Sequence, residues 1–403
     1  MIVVVGAGPA GIAAAVRARQ CGKPVTVLDD NPTPGGQIWR GGRGPAWLAK
    51  FSRSGAKLLS GTRVFGGDTS RRILRAETST GAQEISYDAL ILATGARELF
   101  LPFPGWTLPG VTGAGGLQAL VKSGLPVAGK RIVVAGSGPL LLAVAATMRK
   151  SGASVPLVAE QASSLALLRF AGGLSPAKLL QGSVLATTSF RPGSWVRRAD
   201  GNGRLEKIEL QDGKIIPCDY LAVAFGFVPN DELAICLACD RQETESIYHA
   251  GGHAGGPSGS GGVELSLVEG EIAGYSAAGR TDLAQKLFPK RAAALRFAGR
   301  LERTFALREE LRILAETDTI VCRCEDVPFG RLQTADSWRA AKLHFRCGMG
   351  PCQGRICGPA VQILFNWRQE SIRPPVFPAR ISSLISTDLI SNRSDSSMEP
   401  FTK

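Results

Sequence analysis

Two stretches of the chain share one pattern of apolar and polar positions. Each reads as a short apolar strand, a glycine-rich turn, a helix rich in Ala or Leu, and a second apolar strand. The predicted elements lie at 2–5, 6–11, 12–20 and 25–28 in the first stretch, and at 131–135, 136–138, 140–150 and 154–159 in the second. Such a βαβ unit opens a dinucleotide-binding domain, so the pattern predicts two of them.

The rest of the chain contains further strand and helix signals. YDALILATGA at 87–96 and YLAVAFGFVPN at 220–230 read as buried strands that run into turns. The Pro- and Gly-rich stretch 101–116 reads as a crossover between domains. A glycine-rich loop at 251–262 precedes a predicted helix at 263–278, and a charged helical segment at 281–314 leads to a cysteine-rich region. The Ser-rich stretch 380–403 is expected to be extended or disordered unless a partner orders it.

Length and composition fit an α/β protein of several domains. A chain of 403 residues exceeds what one hydrophobic core usually supports. The predicted domains are a nucleotide-binding domain at 1–125 and 245–300, an inserted dinucleotide-fold domain at 126–244, a cysteine-rich domain at 301–375 and a tail at 376–403.

The net charge of +13 does not by itself identify a partner. Lys and Arg are scattered and no nucleic-acid-binding signature is present, so a solvated basic surface or a protein partner is the better interpretation. No apolar run reaches the roughly 18 to 20 residues that a membrane span requires, so we expect no span.

The cysteines concentrate in one region. Five of the nine fall in CRCEDV and CGMGPCQGRIC, at Cys322, Cys324, Cys347, Cys352 and Cys357. A secreted disulfide framework would spread them, so a reducing, cytoplasmic setting is expected. Clustered thiolates of this kind hold an iron–sulfur cluster or, less typically at this spacing, zinc.

The first glycine turn, GAGPAG, carries the complete fingerprint of a dinucleotide site. Gly6 allows the tight turn, Gly8 lets a pyrophosphate approach the backbone, and Gly11 lets helix and strand pack closely. Asp29 ends the next strand, where a carboxylate accepts the ribose hydroxyls.

The second glycine turn, GSGPLL, is a weaker match. It keeps Gly136 and Gly138 but has Leu141 at the third position, with Glu160 as the acid. A bound nucleotide and an empty, retained fold are both open alternatives here.

Two further features suggest no chemistry of their own. Cys236 and Cys239 form a C-x-x-C within a helical pattern, where one buried face is a better interpretation than a redox dithiol. The three histidines form no Ser/His/Asp set or metal site, which leaves no basis for a hydrolase.

Several motifs together resemble the larger subunits of opine oxidases, hydrogen cyanide synthase and hydroxyproline dehydrogenase. They are GAGPAGIAAA, GGQIWR at 35–40, ILATGARE at 91–98, LPFPGW and LPGV between 101 and 111, VVAGSGPLLLAVA, GFVPN, and CRCEDV with GMGPCQGRIC. The resemblance covers about residues 1 to 375.

The resemblance implies a glutathione-reductase-like pair of dinucleotide domains and a small helical, bacterioferritin-associated-ferredoxin-like [2Fe–2S] domain. It implies that Gly36, Gln37, Thr94 and Gly95 complete the first nucleotide site. It also implies that a separate D-amino-acid-oxidase-like flavoprotein oxidises the amine substrate, with an interfacial FMN and a further small subunit as additional components. This chain would then carry no substrate-oxidising residue and would relay electrons.

One segment departs from the family pattern. Flavoproteins of this architecture close the flavin site with Ala-Gly-Asp, whereas this chain has Ala250, Gly251 and Gly252. The first site is therefore expected to hold FAD or another adenine nucleotide such as ATP or NAD. A free-standing NAD(P)H-dependent reductase and a non-catalytic iron–sulfur scaffold are the alternative functions.

The expected cluster ligands are Cys322, Cys324, Cys352 and Cys357. Cys357 precedes a predicted helix, whose dipole favours a thiolate at its start. Proteins that this chain resembles often carry Ala before GMGPCQG, where Cys347 stands here, which implies that Cys347 is the spare thiol.

Overall fold

The structure is a computed structural model that describes residues 1–40, 44–173, 190–239, 246–253, 261–369 and 372–388. Its strands are β1 (Ile2–Val5), β2 (Val25–Leu28), β3 (Lys57–Leu59), β4 (Arg63–Asp68), β5 (Ile73–Thr78), β6 (Gly81–Ser86), β7 (Ala89–Leu92), β8 (Ala96–Glu98), β9 (Val111–Gly113), β10 (Ile132–Gly136), β11 (Val158–Glu160), β12 (Phe190–Pro192), β13 (Val196–Asp200), β14 (Lys207–Leu210), β15 (Ile215–Pro217), β16 (Tyr220–Ala224), β17 (Phe227–Pro229), β18 (Ile247–His249), β19 (Ile320–Cys322) and β20 (Val327–Pro328).

The helices of these residues are α1 (Pro9–Gln20), α2 (Pro45–Arg53), α3 (Ala114–Lys122), α4 (Leu140–Lys150), α5 (Ser164–Ala171), α6 (Glu232–Cys236), α7 (Gly262–Ala277), α8 (Thr281–Gln285), α9 (Phe288–Thr304), α10 (Glu309–Arg312), α11 (Phe329–Leu332), α12 (Trp338–Phe345), α13 (Cys357–Phe365) and α14 (Ile381–Asp388).

The first dinucleotide domain is built on a parallel sheet in the order β3-β2-β1-β7-β18. Both faces of β1 are buried. Ile2 and Val4 pack on the side of α1, whereas Val3 and Val5 pack with the antiparallel sheet β4-β5-β6. A parallel sheet covered on both faces requires such a continuous apolar strand, which is what the sequence supplies.

The second domain repeats this arrangement. Its parallel sheet has the order β12-β11-β10-β16-β9. Ile132 and Val134 of β10 pack towards α4, and Val133 packs towards the antiparallel sheet β13-β14-β15. The two predicted βαβ units are therefore confirmed, and both glycine turns lie at the carboxyl ends of their first strands.

Short strands connect the two domains. β8 follows the end of β7, and it pairs antiparallel with β17, which follows the end of β16. Chain from both domains thus meets directly beside the first glycine turn. Arg97 on β8 connects this junction to the cysteine loop, since its Nε donates to the Arg355 carbonyl.

The cysteine-rich region forms a small unit with its own core. The hairpin β19-β20 precedes α11, α12 and α13, and Val321, Leu332, Trp338, Ala341 and Val361 are among the residues buried between them. The predicted helix after Cys357 is confirmed, since α13 begins at that residue. The unit is mixed rather than purely helical, because the first two cysteines lie at a hairpin.

Three local predictions differ from the structure. The first helix begins at Pro9 rather than 12, since proline suits a first turn. The strand predicted at 154–159 is regular only from Val158, after Pro156, which lacks an N–H for the ladder.

The tail is the third difference, because residues 381–388 form α14 rather than an extended or disordered segment. Glu77 holds its start: Arg380 Nε and Ser383 Oγ donate to Glu77 Oε1 over 2.8 and 2.7 Å. The hydrogen bond from Arg380 lowers the pKa of Glu77 to about 2. The remainder of the tail, 389–403, lies outside the described residues.

Among the helices of the described residues, none is both long and apolar enough to cross a bilayer.

Candidate nucleotide and thiolate sites

The first glycine turn has the geometry of a dinucleotide site. Gly6 adopts a φ of +104°, and a Cβ there would overlap the carbonyl oxygen of Ala93 on the neighbouring strand. A Cβ at Gly11 would overlap the carbonyl oxygen of Gly6, so only glycine allows helix and strand this close. Both residues therefore have a packing role.

Gly8 differs from its neighbours. A Cβ at this position would meet no atom of the chain within 4 Å. The space in front of Gly8 is thus left open at the start of α1, where unpaired backbone N–H groups favour an anion. This observation fits a pyrophosphate better than it fits a purely structural glycine.

Asp29 ends β2 and holds the turn in place. Its Oδ2 accepts a hydrogen bond from the Ala7 N–H, and its Oδ1 accepts from the backbone N–H of Asn31 over 2.8 Å. The following residue, Asp30, is exposed. The edge of the turn is thus open at Asp30, whereas the Asp29 carboxylate itself is buried, with 8% exposure.

The GGQIWR segment folds back over the turn. The Gly35 N–H donates to the Ala7 carbonyl over 2.7 Å, and a Cβ on Gly36 would lie 3.0 Å from Gly8 Cα. Gln37 is exposed at this edge. The structure therefore brings Gly36 and Gln37 to the first turn, as the resemblance implied.

Thr94 and Gly95 lie at the end of β7, and Gly252 packs against them. A Cβ on Gly252 would lie 3.2 Å from the Ala96 Cβ and 3.4 Å from the Gly95 carbonyl carbon. A side chain at position 252 would therefore require its neighbours to shift by a few tenths of an ångström.

The second glycine turn keeps the strained backbone of the first, and a Cβ on Gly138, as on Gly8, would meet no atom of the chain within 4 Å. Gly136 has a φ of +134°, and a Cβ there would overlap the carbonyl oxygen of Ala224. Glu160 is 1% exposed; its two carboxylate oxygens accept from the N–H groups of Gly138 and Ala162 over 2.7 and 2.8 Å. Burial raises the pKa of Glu160 to about 7.

The linker between α9 and α10 lies over this second turn. Ser137 Oγ donates to the Phe305 carbonyl over 2.9 Å. Gln161 is fully buried; its Nε2 donates to the Ala306 carbonyl over 3.0 Å, and its Oε1 accepts from the Arg308 N–H over 3.2 Å. The residue after the acid thus differs between the two sites. Asp30 in the first site is exposed, whereas Gln161 in the second is buried beneath the Phe305–Arg308 linker.

All five clustered cysteines come together. The sulfurs of Cys322, Cys347 and Cys357 lie within 4.8 Å of one another, and all three residues are buried. Cys324 is exposed and Cys352 is half-buried. These two thiols hydrogen-bond to each other, and Cys352 also hydrogen-bonds to Cys357.

The thiols strongly perturb one another. Hydrogen bonds from Cys347 and Cys357 lower the pKa of Cys322 to about 2, and a hydrogen bond from Cys357 lowers that of Cys352 to about 5. The pKa of Cys347 is raised to about 12, chiefly by its hydrogen bond to Cys322, and that of Cys357 is raised by the same neighbour. The buried group of three thus contains the expected ligands Cys322 and Cys357 together with Cys347, the expected spare, and the expected ligands Cys324 and Cys352 join it through the bond of Cys352 to Cys357.

Neither cysteine of the C-x-x-C at 236 and 239 is exposed. Cys239 is buried in the core beneath the first sheet, and its Sγ donates to the Ala234 carbonyl over 3.3 Å. Burial raises the pKa of Cys236, which disfavours a reactive thiolate. The interpretation as a buried face fits the structure.

Sequence reasoning missed the residues that attach the thiol group to the first domain. These are Arg97 on β8, Asn230 after β17, Glu232 on α6 and Arg355 in the cysteine loop. Arg97, Asn230 and Arg355 stand in the family motifs ILATGARE, GFVPN and GMGPCQGRIC, whereas Glu232 belongs to none of them. No pattern in the chain signals that Arg97 and Arg355, 258 residues apart, are in contact.

Comparison with known proteins agrees with this architecture. The model of the pyridine nucleotide-disulphide oxidoreductase family matches residues 1–248. The hydrogen cyanide synthase component HcnB of Pseudomonas aeruginosa is 31% identical, over 88% of this chain and 90% of that protein. An opine oxidase subunit of Rhizobium meliloti is 30% identical, over 95% of this chain and 86% of that protein.

A solved structure shares the fold over nearly the whole chain. L-proline dehydrogenase from P. horikoshii superposes with a TM-score of 0.68 at 19% identity, covering 95% of this chain and 78% of that one. At this identity the likeness establishes the fold alone.

The fold and the first site define a nucleotide-binding flavoprotein oxidoreductase of the α/β class. The chain belongs to the pyridine nucleotide-disulphide oxidoreductase family and, within it, to the group that contains HcnB and the opine oxidase subunit of Rhizobium meliloti. The expected family resemblance is therefore confirmed.

Proposed function

We propose that this chain is the electron-relay subunit of a hetero-oligomeric, flavin-dependent amine or opine dehydrogenase or oxidase of the cytoplasm. Substrate is oxidised on a partner flavoprotein subunit, and electrons reach a [2Fe–2S] centre in this chain. The thiol group formed by Cys322, Cys324, Cys347, Cys352 and Cys357 is the observation that carries the proposal. The names of the related proteins, each a subunit, agree with it.

The thiol group fits an iron–sulfur centre by its chemistry. Thiolates are the ligands of such clusters, and three buried sulfurs lie within 4.8 Å of one another, two from expected ligands and one from Cys347, the expected spare. Gly350 packs so closely on Cys324 that any side chain there would overlap the Cys324 Cβ. The glycine-rich loop thus brings its backbone near the sulfurs, where N–H groups stabilise negative charge.

The first site fits an adenine nucleotide. Gly8 leaves room for the phosphates, Asp29 ends β2 at the acid position of the fingerprint, and Gly36 lies against Gly8. FAD, ATP and NAD share these parts, and the absence of an Asp at position 252 removes the contact typical of a flavin. A flavin there would supply one- and two-electron transfer; the residues named here only bind and orient it.

The second turn argues against the free-standing NAD(P)H reductase. Glu160 is 1% exposed, and the Phe305–Arg308 linker bonds to the next residue, Gln161, whereas Asp30 in the same position of the first site is exposed. An NAD(P)H molecule would therefore meet this linker beside the acid. The scaffold alternative predicts a chain that purifies without any nucleotide, so the nucleotide content of the purified chain decides it.

The decisive experiment is purification of the native complex, with identification of its subunits and extracted cofactors. Adding the amine substrate under anaerobic conditions should produce the EPR signal of a reduced [2Fe–2S] centre. Cys352→Ser should abolish the signal while the partner's flavin is still reduced by substrate. A chain that purifies alone, without iron, would contradict the proposal.

A second experiment tests the alternative function. NADH and NADPH are added anaerobically to the isolated chain, and the visible spectrum is followed. We expect no bleaching of flavin or cluster absorbance, and rapid bleaching by either nucleotide would favour the reductase.

A further inference from the structure

Arg97 lies at the junction between the first nucleotide site and the cysteine loop. It is the middle residue of β8, three positions after Thr94 at the end of β7. Its guanidinium is largely buried and uses its donors in several directions: Nε donates to the Arg355 carbonyl over 3.0 Å, Nη1 to Asn230 Oδ1 over 2.8 Å, and Nη2 pairs with Glu232 over 2.7 Å.

On one side Arg97 is connected to the nucleotide turn through Asn230. Asn230 accepts from Arg97, and its Nδ2 donates to the Thr94 carbonyl over 2.9 Å. Thr94 Oγ1 donates to the Asn230 carbonyl over 2.7 Å, and the Asn230 N–H donates to the Gly95 carbonyl over 3.0 Å. Three hydrogen bonds thus fix Asn230 to the turn that lines the first site.

On the other side Arg97 is bonded to the loop that carries two of the expected ligands. Arg355 lies between Cys352 and Cys357, and both its backbone N–H and its Nη1 donate to the Cys352 carbonyl, over 3.0 and 3.3 Å. Its guanidinium also stacks 4.0 Å from the ring centroid of Phe377. A displacement of the Arg355 backbone would therefore move the Cys352 turn with it.

We propose that Arg97 is a positioning residue that couples the first nucleotide site to the cysteine loop, so that an adenine nucleotide bound at Gly8–Asp29 stiffens the loop around Cys352. The connection runs through Thr94, Asn230, Arg97 and Arg355. It rests on the proposed function only in requiring a nucleotide at the first site. Lysine cannot replace Arg97, because one ammonium lacks the planar fork that reaches three acceptors at once.

The test compares hydrogen–deuterium exchange of residues 347–357 in the full chain with and without nucleotide. FAD, ATP and NAD are each tried, and the tightest binder is used. In the wild type, nucleotide should slow exchange of this loop by about fivefold or more, the lower end of typical coupling between sites. In Arg97→Gln and Arg97→Lys, the effect should disappear although nucleotide still binds.

Arg17→Gln is the matched control. Arg17 also forms a partly buried ion pair in the first domain, with Glu271 over 3.2 Å, and its side chain hydrogen-bonds to Gln20 rather than to the cysteine loop. Nucleotide should slow loop exchange in this variant as in the wild type. Asn230→Ala tests the same connection from the nucleotide side and should behave like the Arg97 variants.

The outcomes separate this inference from the proposed function. Nucleotide-dependent protection that persists in both Arg97 variants would overturn the coupling, as would a wild-type loop that does not respond to nucleotide. A chain that shows the coupling but contains no iron would contradict the relay function and leave this inference standing. Where iron is present, the cluster's midpoint potential should shift with nucleotide in the wild type and not in Arg97→Gln.

Discussion

Single glycines distinguish the two dinucleotide turns. Gly6 and Gly136 have the same role, since each has a positive φ and packs against a carbonyl of the adjacent strand. The third positions differ: Gly11 lets α1 touch β1, whereas Leu141 places a buried side chain there. The weaker fingerprint in the sequence thus corresponds to a real structural difference between the turns.

Gly8→Val should abolish nucleotide binding at the first site and leave the fold intact. Its φ of −76° is accessible to valine, and its Cβ would point into the open space where phosphate would approach. We expect the melting temperature of the nucleotide-free chain to change little, corresponding to about 0.5 kcal/mol or less. Nucleotide content after purification and affinity by calorimetry are the measurements.

Gly299→Val on α9 is the control for this substitution. It adds the same atoms, and the nearest atom to its Cβ is the flexible Arg303 Nη1 at 3.5 Å. Nucleotide content should match the wild type. Equal loss of nucleotide in both variants would show that the Gly8 effect is not local.

Single Cys→Ser variants test which thiols hold the cluster. We expect Cys347→Ser to retain iron and the EPR signal of the reduced cluster, and Ser at 322, 324, 352 or 357 to lose or damage both. Serine removes a soft thiolate and supplies a poorer ligand. Because Cys347 contacts Cys322 and Cys357, retention of the cluster in Cys357→Ser together with its loss in Cys347→Ser would reverse the assignment.

At the scale of elements, the linker between α9 and α10 has a role that its sequence does not signal. It joins the first domain to the cysteine-rich unit, and on its way it bonds to Ser137 and Gln161 above the second glycine turn. Phe170 on α5 supports it through an edge-on contact with Phe305, with ring centroids 5.5 Å apart. The linker is therefore held against the second domain by these contacts.

Glu160→Gln should change the pH dependence of stability. Burial raises the pKa of Glu160 in the folded chain to about 7, above the ordinary value of 4.5. The stabilisation it contributes is therefore present below about pH 4.5 and is lost as the pH rises through about 7. The free energy of unfolding of the wild type should fall relative to the variant over this range, by at most about 1.4 kcal/mol per pH unit.

Urea unfolding between pH 5 and 8 measures this difference, with Glu206→Gln as the control because Glu206 is exposed in the same domain. The control should follow the wild type at every pH. A difference between wild type and Glu160→Gln that stays constant with pH would contradict the prediction.

Elements with a strong periodic pattern were predicted well, and those held by single distant contacts were not. Helix α7 was expected at 263–278 and lies at Gly262–Ala277. Helix α14 was not expected, because its serine-rich sequence has little intrinsic preference for a helix. It forms where Glu77, 306 residues before Ser383, accepts hydrogen bonds from its first turn.

At the scale of the whole molecule, we expect the isolated chain to leave amines unoxidised. No substrate-facing acid, base or carboxylate clamp can be assigned among its described residues, and both glycine turns serve binding or packing. Anaerobic incubation with an opine or with L-proline should leave the purified chain's absorption spectrum unchanged, whereas the native complex should respond to its substrate. Steady amine turnover by the single chain would contradict this.

The sequence by itself determined the two βαβ units, the glycine turn proposed as the first nucleotide site and the identity of the thiol group. These depend on local periodicity and on residues close together in the chain: Gly6, Gly8 and Gly11 lie within one turn, and CRCEDV and GMGPCQGRIC each concentrate their cysteines. Physical constraints on backbone conformation and on soft ligands act at that short range, so they leave a readable pattern.

Only the tertiary structure decided how these parts are joined. The linker over Gln161, Glu77 at the start of α14, and the contact of Arg97 with Arg355 each join residues more than 140 positions apart. A buried hydrogen bond needs only one donor and one acceptor in the right place, and such single residues leave no periodic signal in the chain. For the second glycine turn the sequence left a bound nucleotide and an empty fold as alternatives, and only the fold shows that the Phe305–Arg308 linker bonds to Ser137 and Gln161 there.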